Sequence, residues 1–82
     1  MQGIDIENKV LGIVAELLKR EAKIAEHDDL LLLGLDSISA IKIIVYIEGE
    51  FGFEVNDEDL LIENFNTIYK IKEYIRMKLK TN

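Results

Sequence analysis

Ser37 stands in the stretch Leu33-Gly34-Leu35-Asp36-Ser37-Ile38-Ser39, a small hydroxyl between apolar neighbours where a long apolar run begins. Residues of these types at this spacing could do three kinds of work. Ser37 or Asp36 could accept a hydrogen bond from a free backbone N–H and cap a helix, and either side chain would serve. Ser37 could act as a nucleophile with the single histidine, His27, and an acid such as Asp28 or Asp36. Or its hydroxyl could carry a covalently attached group. A phosphodiester would be well placed there, because a helix N-terminus stabilises phosphate through its free N–H groups and its dipole. The nucleophile reading is the weakest. A chain of 82 residues is too small to enclose a pocket or supply an oxyanion hole, and a lone loop histidine beside two aspartates is ordinarily solvated. No enzyme is expected.

Other chemistries find less support. The chain has no cysteine, so a thiolate metal site or a disulfide framework is excluded. Residues 56–64, Asn-Asp-Glu-Asp-Leu-Leu-Ile-Glu-Asn, are rich in carboxylates but lack the central glycine and ligand spacing of a calcium loop. No metal is expected. Nucleic acid binding would need a basic, aromatic-bearing surface. Residues 28–66 carry one basic side chain, Lys42, against ten acidic ones, whereas residues 67–82 carry five basic and one acidic. The acidic middle repels phosphates and attracts basic surfaces, so nucleic acid is not an expected partner.

The elements that would position Ser37 can be read from hydropathy. Residues 4–20 place Ile6, Val10, Ile13, Val14, Leu17 and Leu18 on one side of a helix. Residues 21–36 form a long, leucine-rich loop that must fold back on the helices or leave a large apolar patch. A second helix is expected over about 37–51, ended by Gly52 in a left-handed cap. Its apolar residues, among them Ile38, Ile41, Ile43, Ile44, Val45, Ile47 and Phe51, cover an arc of roughly 220°. So wide an arc predicts a central helix touching several others. The remaining strip holds Ser39, Lys42, Tyr46, Gly49 and Glu50, with Ile38 and Ile43 at its margins. Asn56 is a good N-cap for a short helix over about 57–62. Thr67 caps a last helix over about 67–79, with Ile68, Ile71, Tyr74, Ile75 and Leu79 on one face and Lys70, Lys72, Arg76, Lys78 and Lys80 on the rest.

The β-branched run Ile41 to Ile47 would also suit a buried strand. The Gly-Leu-Asp-Ser start, the helical surroundings and the lack of a second convincing strand decide for helix. The fold class predicted is all-α: one domain over 1–82, a four-helix bundle of three main helices and a short third one. A composition of 49% apolar and 32% charged residues suits a small packed helical domain. The longest apolar runs fall far short of the ~20 residues of a membrane span, and the polar, acidic start is no signal peptide. A soluble, monomeric, cytoplasmic protein is expected, and the Met1 start and short ends suggest a stand-alone one.

The stretch Leu33 to Ile43 (Leu-Gly-Leu-Asp-Ser-Ile-Ser-Ala-Ile-Lys-Ile) resembles the attachment motif of the carrier proteins of fatty acid, polyketide and nonribosomal peptide synthesis. The likeness covers nearly the whole chain, including Glu48 to Val55 at the end of the second helix and Phe65-Asn66-Thr67-Ile68 before the last. It implies that Ser37 carries 4′-phosphopantetheine, transferred from coenzyme A by a phosphopantetheinyl transferase. Asp36 would be the neighbouring acid that helps recognition by the transferase. Gly34, Leu35 and Ile38 would form a collar around the arm. Ser39, Lys42, Ile43, Tyr46 and Glu50 would meet the transferase and the acyl- or aminoacyl-activating and condensing enzymes. The domain would then hold acyl or aminoacyl groups as thioesters.

The second helix departs from the fatty acid carriers. Ser39 and Lys42 stand where acids are usual soon after the serine, and Glu48 and Glu50 come only at the far end. In this it is similar to peptidyl carriers, which points to a dedicated pathway rather than housekeeping fatty acid synthesis. The competing reading is a carrier-like helical module that is never modified, acts only in protein interaction, and uses Ser37 as a plain cap.

Overall fold

The computed structural model describes residues 2–19 and 24–80, with side chains from Ile6 onward. Three α-helices form in chain order: α1 (Gln2–Leu18), α2 (Ser37–Phe51) and α3 (Ile68–Lys80). Among the described residues there is no strand, so the β-branched run within α2 is helical. The expected short helix is instead two 3-10 turns, Asp57–Asp59 and Ile62–Asn64. Leu61 between them is extended, at φ −123° and ψ 136°, which interrupts any α-helical register. Asn56 makes no capping bond with its side chain, which accepts from Lys78 Nζ at 3.1 Å instead. The all-α class and the three main helices stand as expected, and the short fourth element takes the form of a turned connection.

Helix ends follow local chemistry. α1 stops at Leu18, two residues before the expected position, because Lys19 turns to a left-handed φ of 54°. The expected end at 20 and the loop start at 21–23 lie outside the described residues. Gly52 adopts φ 75° and ψ 43°, and its N–H reaches back to the Glu48 carbonyl. That left-handed cap needs a residue without Cβ strain. Thr67 Oγ1 accepts from the Lys70 amide at 3.0 Å and so caps α3.

The core is aliphatic. Ile6, Val10, Ile13 and Val14 of α1 meet Ala40, Ile43, Ile44 and Ile47 of α2 and Ile68, Ile71 and Ile75 of α3. Each fully buried isoleucine is worth roughly 1.5–3 kcal/mol over exposure. α1 packs on both other helices, whereas α2 and α3 meet more sparsely. The central helix is thus α1, not α2 as its wide apolar arc suggested. α2 buries one stripe and turns Ile38, Ile41 and Val45 outward.

The long loop does fold back. Ile24, Leu30 and Leu35 are buried, and Phe65 and Val55 close the core from the other connection. Backbone bonds hold the loop to the start of α3: the Leu30 amide donates to the Asn66 carbonyl and the Tyr69 amide to the Glu26 carbonyl, both at 2.9 Å. Lys72, expected on the exposed side of α3, is only 5% exposed. Its ammonium lies 2.6 Å from Glu26 of the loop and 3.5 Å from Glu7 of α1, so one cation joins three segments. The Glu26 hydrogen bond raises the Lys72 pKa, and the same bond lowers that of Glu26.

Candidate functional site

The start of α2 is set by Asp36, not by Ser37. Asp36 is extended (φ −133°, ψ −177°), and its Oδ1 accepts from the Ser39 amide at 2.8 Å. Its carbonyl accepts from the Ala40 amide at 2.8 Å. The Ser39 amide holds the Asp36 carboxyl below the usual carboxylate range. Ser37 is consequently the first residue of the helix proper and is exposed. Among the described residues its hydroxyl has no hydrogen-bond partner. The reading of Ser37 as a plain cap is corrected: the cap is taken, and the hydroxyl is left over.

The loop before Ser37 is rigidly tied. The Leu33 and Leu35 amides both donate to the Leu30 carbonyl, and Leu31 N–H donates to Asp29 Oδ1. Gly34 takes a φ of 114°, where a side chain would strain the backbone. The turn sends Leu35 inward and leaves Leu32 83% exposed. Leu35 therefore anchors the loop from within the core. Of the expected collar only Gly34 and Ile38 face solvent beside Ser37, Ile38 at 66% exposure.

A groove of about 690 Å³ opens beside Ser37. Ser37, Ile41, Ile44 and Val45 form its α2 wall, and Val55, Leu60, Leu61 and Ile62 its opposite wall. Glu48, Glu54, Asp57 and Glu63 add carboxylates to an otherwise apolar lining. Glu48 is not a free charge there, since its Oε2 accepts from the Val55 amide at 2.8 Å. The second wall hangs on Tyr74 of α3. The phenol donates to Asp59 Oδ2 at 2.9 Å and accepts from the Asn56 amide at 3.3 Å. Its ring packs edge-on to Phe65 at 5.4 Å.

The five residues expected to meet partners are divided by the structure. Lys42 and Tyr46 are exposed on the outer face of α2, and Ser39 is half-buried. Glu50 is exposed, but its carboxylate is bound to Lys9 of α1 at 2.6 Å. Ile43 is corrected: it is fully buried and belongs to the core, because the packed stripe of α2 runs through it. Ile41 and Val45, outside that set of five, line the groove and are 59% and 61% exposed. Their spacing from Ile38, three and seven residues, was the available signal, since it puts all three on one helical face.

The hydrolytic alternative has no geometry to support it. The His27 ring stacks on Tyr69 at 4.9 Å, Asp28 Oδ2 accepts from the Ala25 amide, and Asp36 is held by Ser39. None of the three is bonded to Ser37.

The chain is similar to known proteins in both sequence and fold. The family described as "Phosphopantetheine attachment site" matches residues 8–75. The chain is 35% identical over 78 residues to the acyl carrier protein of Buchnera aphidicola subsp. Schizaphis graminum (strain Sg), covering 93% of this chain and 96% of that one. It superposes on the structure of BlmI, a type-II acyl carrier protein from Streptomyces verticillus involved in bleomycin biosynthesis, with a TM-score of 0.80. That likeness has 28% identity and covers 95% of this chain and 90% of BlmI.

Proposed function

The chain belongs to the phosphopantetheine attachment-site family and is an acyl carrier rather than an enzyme, and from that premise we propose that Ser37 is its attachment residue. One observation carries the assignment: the Ser37 hydroxyl is exposed and unengaged at the first residue of α2, while Asp36 has taken over the cap. The residues fit 4′-phosphopantetheine. Ser37 offers the ester oxygen, and the N-terminal turn of α2 favours the phosphate. In the transfer, Ser37 Oγ forms a bond to the phosphorus of the phosphopantetheine half of coenzyme A. The bond from that phosphorus to the adenosine bisphosphate half breaks, and the serine proton leaves to a base of the transferase. Among the described residues no base is bonded to Ser37.

Once attached, the group supplies a thiol that holds an acyl cargo as a thioester. What this chain contributes is shelter and recognition. The groove beside Ser37, at about 690 Å³, falls within the usual range of small-molecule sites and is lined mainly by isoleucine, leucine and valine. An acyl chain laid there is removed from water. We assign the carrier to a dedicated pathway rather than to housekeeping fatty acid synthesis, because the outer face of α2 carries Lys42 and no free carboxylate. BlmI is involved in bleomycin biosynthesis, and the likeness to it supports this reading. The partners are then a phosphopantetheinyl transferase and the activating and condensing enzymes of that pathway.

The test is incubation with coenzyme A and a broad-specificity transferase, followed by intact mass and peptide mapping. Arm addition on the peptide containing Ser37, abolished by Ser37→Ala, is the expected result. A folded protein that takes up no arm would instead be the unmodified interaction module.

A further inference from the structure

The groove beside Ser37 has two ends, and hydrogen bonds identify them. Its α2 wall is a single helical stripe that begins at Ser37, passes Ile41, Ile44 and Val45, and ends at Glu48. Glu48 therefore lies about 16 Å from Ser37 along the helix axis. The opposite wall runs back the other way. Glu48 Oε2 accepts from the Val55 amide, which fixes the first residues of that wall at the far end. The Leu35 amide donates to the Leu30 carbonyl and the Leu30 amide to the Asn66 carbonyl, which returns its last residues to the start of α2. Leu60 and Leu61 line the groove between those ends.

Charge is spread unevenly along this length. Glu48, Glu54 and Asp57 belong to the far end, and Glu63 to the end near Ser37. Among the described residues no lysine, arginine or histidine lines the groove. Glu48 keeps its charge while it accepts the Val55 N–H. Glu54 and Asp57 are exposed, and their carboxylates have no hydrogen-bond or ion-pair partner among the described residues. Lys70 and Lys78 of α3 reach this connection at other atoms, the Glu63 carbonyl and Asn56 Oδ1.

The arm on Ser37 matches the length of the groove. Roughly a dozen bonds separate its phosphorus from its sulfur, so extended it spans about 15 Å, at the backbone rise of about 3.5 Å for every three bonds. Laid along α2, it brings the first atoms of the cargo to Glu48, Glu54 and Asp57. We propose that this end of the groove selects cargo by charge. It holds an aminoacyl group whose free ammonium meets the three carboxylates, and it turns away an acyl group with a carboxylate at the same position. This rests on the assignment of Ser37 as the attachment residue and goes further by naming the class of cargo. An apolar lining strengthens attraction and repulsion alike over their values in water, and salt weakens both.

The experiment loads three cargoes through a stable amide in place of the thioester, by transfer of acylated amino-coenzyme A to Ser37 with a broad-specificity transferase. They differ at one substituent: leucyl has an ammonium, 4-methylpentanoyl a hydrogen and isobutylmalonyl a carboxylate. Backbone amide NMR shifts, measured against the chain with the bare arm, report where each cargo lies. Leucyl is expected to move the Val45, Glu48 and Val55 amides at least about threefold more than isobutylmalonyl at roughly 0.05 M salt, with 4-methylpentanoyl between them. The gap should narrow at roughly 0.5 M salt. Glu54→Gln with Asp57→Asn removes two charges and no side-chain hydrogen bond, and should cut the gap by about half or more. Equal shifts for the three cargoes, no shift at these amides with any of them, or a gap that the double variant leaves intact overturns the proposal while Ser37 stands. If intact mass shows that the wild-type chain takes no arm, the assignment of Ser37 falls, and the cargo proposal with it.

Discussion

Asp36 Oδ1 and the Ser39 amide are 2.8 Å apart, and this bond caps α2 while leaving Ser37 unoccupied. The division of labour is testable through pH. The Ser39 amide lowers the folded pKa of Asp36 below that of the unfolded chain. A group so depressed stabilises the fold above the unfolded value, near 4, and loses that contribution as pH falls through the lowered value. Asp36→Asn keeps a capping oxygen without the titration. Acid unfolding followed by circular dichroism should show a shallower loss of stability in this variant than in wild type below about pH 4. Asp36→Ala should melt earlier at neutral pH, with α2 fraying at its start.

Tyr74 fastens the second wall of the groove through Asp59 and the Asn56 amide. Tyr74→Phe keeps the ring against Phe65 and removes both bonds, so a loss of roughly 1–2 kcal/mol is expected in denaturant unfolding. Burial raises the phenol pKa. The stability tied to its proton is fully present below the unfolded value, near 10, and is lost as pH rises through the raised one. The difference between wild type and Tyr74→Phe should therefore shrink above about pH 10. A constant difference across that range would show that the phenol proton contributes nothing.

Lys72 tests whether the three-segment ion cluster holds the loop. Its partners Glu26 and Glu7 remain partly exposed, so Lys72→Met should cost less than about 1 kcal/mol. Lys72→Glu puts a third carboxylate in a confined place beside two others and should cost roughly 2–3 kcal/mol. Chemical denaturation separates the two. Equal losses would mean that packing of the lysine stem, not its charge, is what matters at this position.

Lys42 bears on partner choice. Lys42→Glu restores an acid to the exposed face of α2 and should increase transfer rates with fatty acid synthase enzymes. Unchanged or lower rates would show that the missing charge is not the obstacle. The fold should be indifferent to this substitution, within about 0.5 kcal/mol.

The Gly52 cap and the three helices were legible in the sequence, because each depends on near neighbours. Gly52 adopts the positive φ that the expected left-handed cap demanded, and Thr67 caps α3 as expected. The Ser37/Asp36 choice was not legible. Both side chains satisfy the same local rule, and only the extended backbone at Asp36 selects it as the cap. Likewise a periodic pattern identifies apolar residues without saying which of them find a neighbour. Ile43 and Val45 have the same β-branched chemistry two positions apart, yet one is fully buried and the other 61% exposed.

What the chain order alone determined was helix formation and the local environment of one hydroxyl, both of which are governed by backbone rules acting over a few residues. Which helix lies at the centre, which acids are consumed by Lys9 and Val55, and which lysine is enclosed by Glu26 and Glu7 were decided by tertiary structure. The reason is that these contacts join residues far apart in the chain. Their existence depends on how three helices and a long loop share one small core.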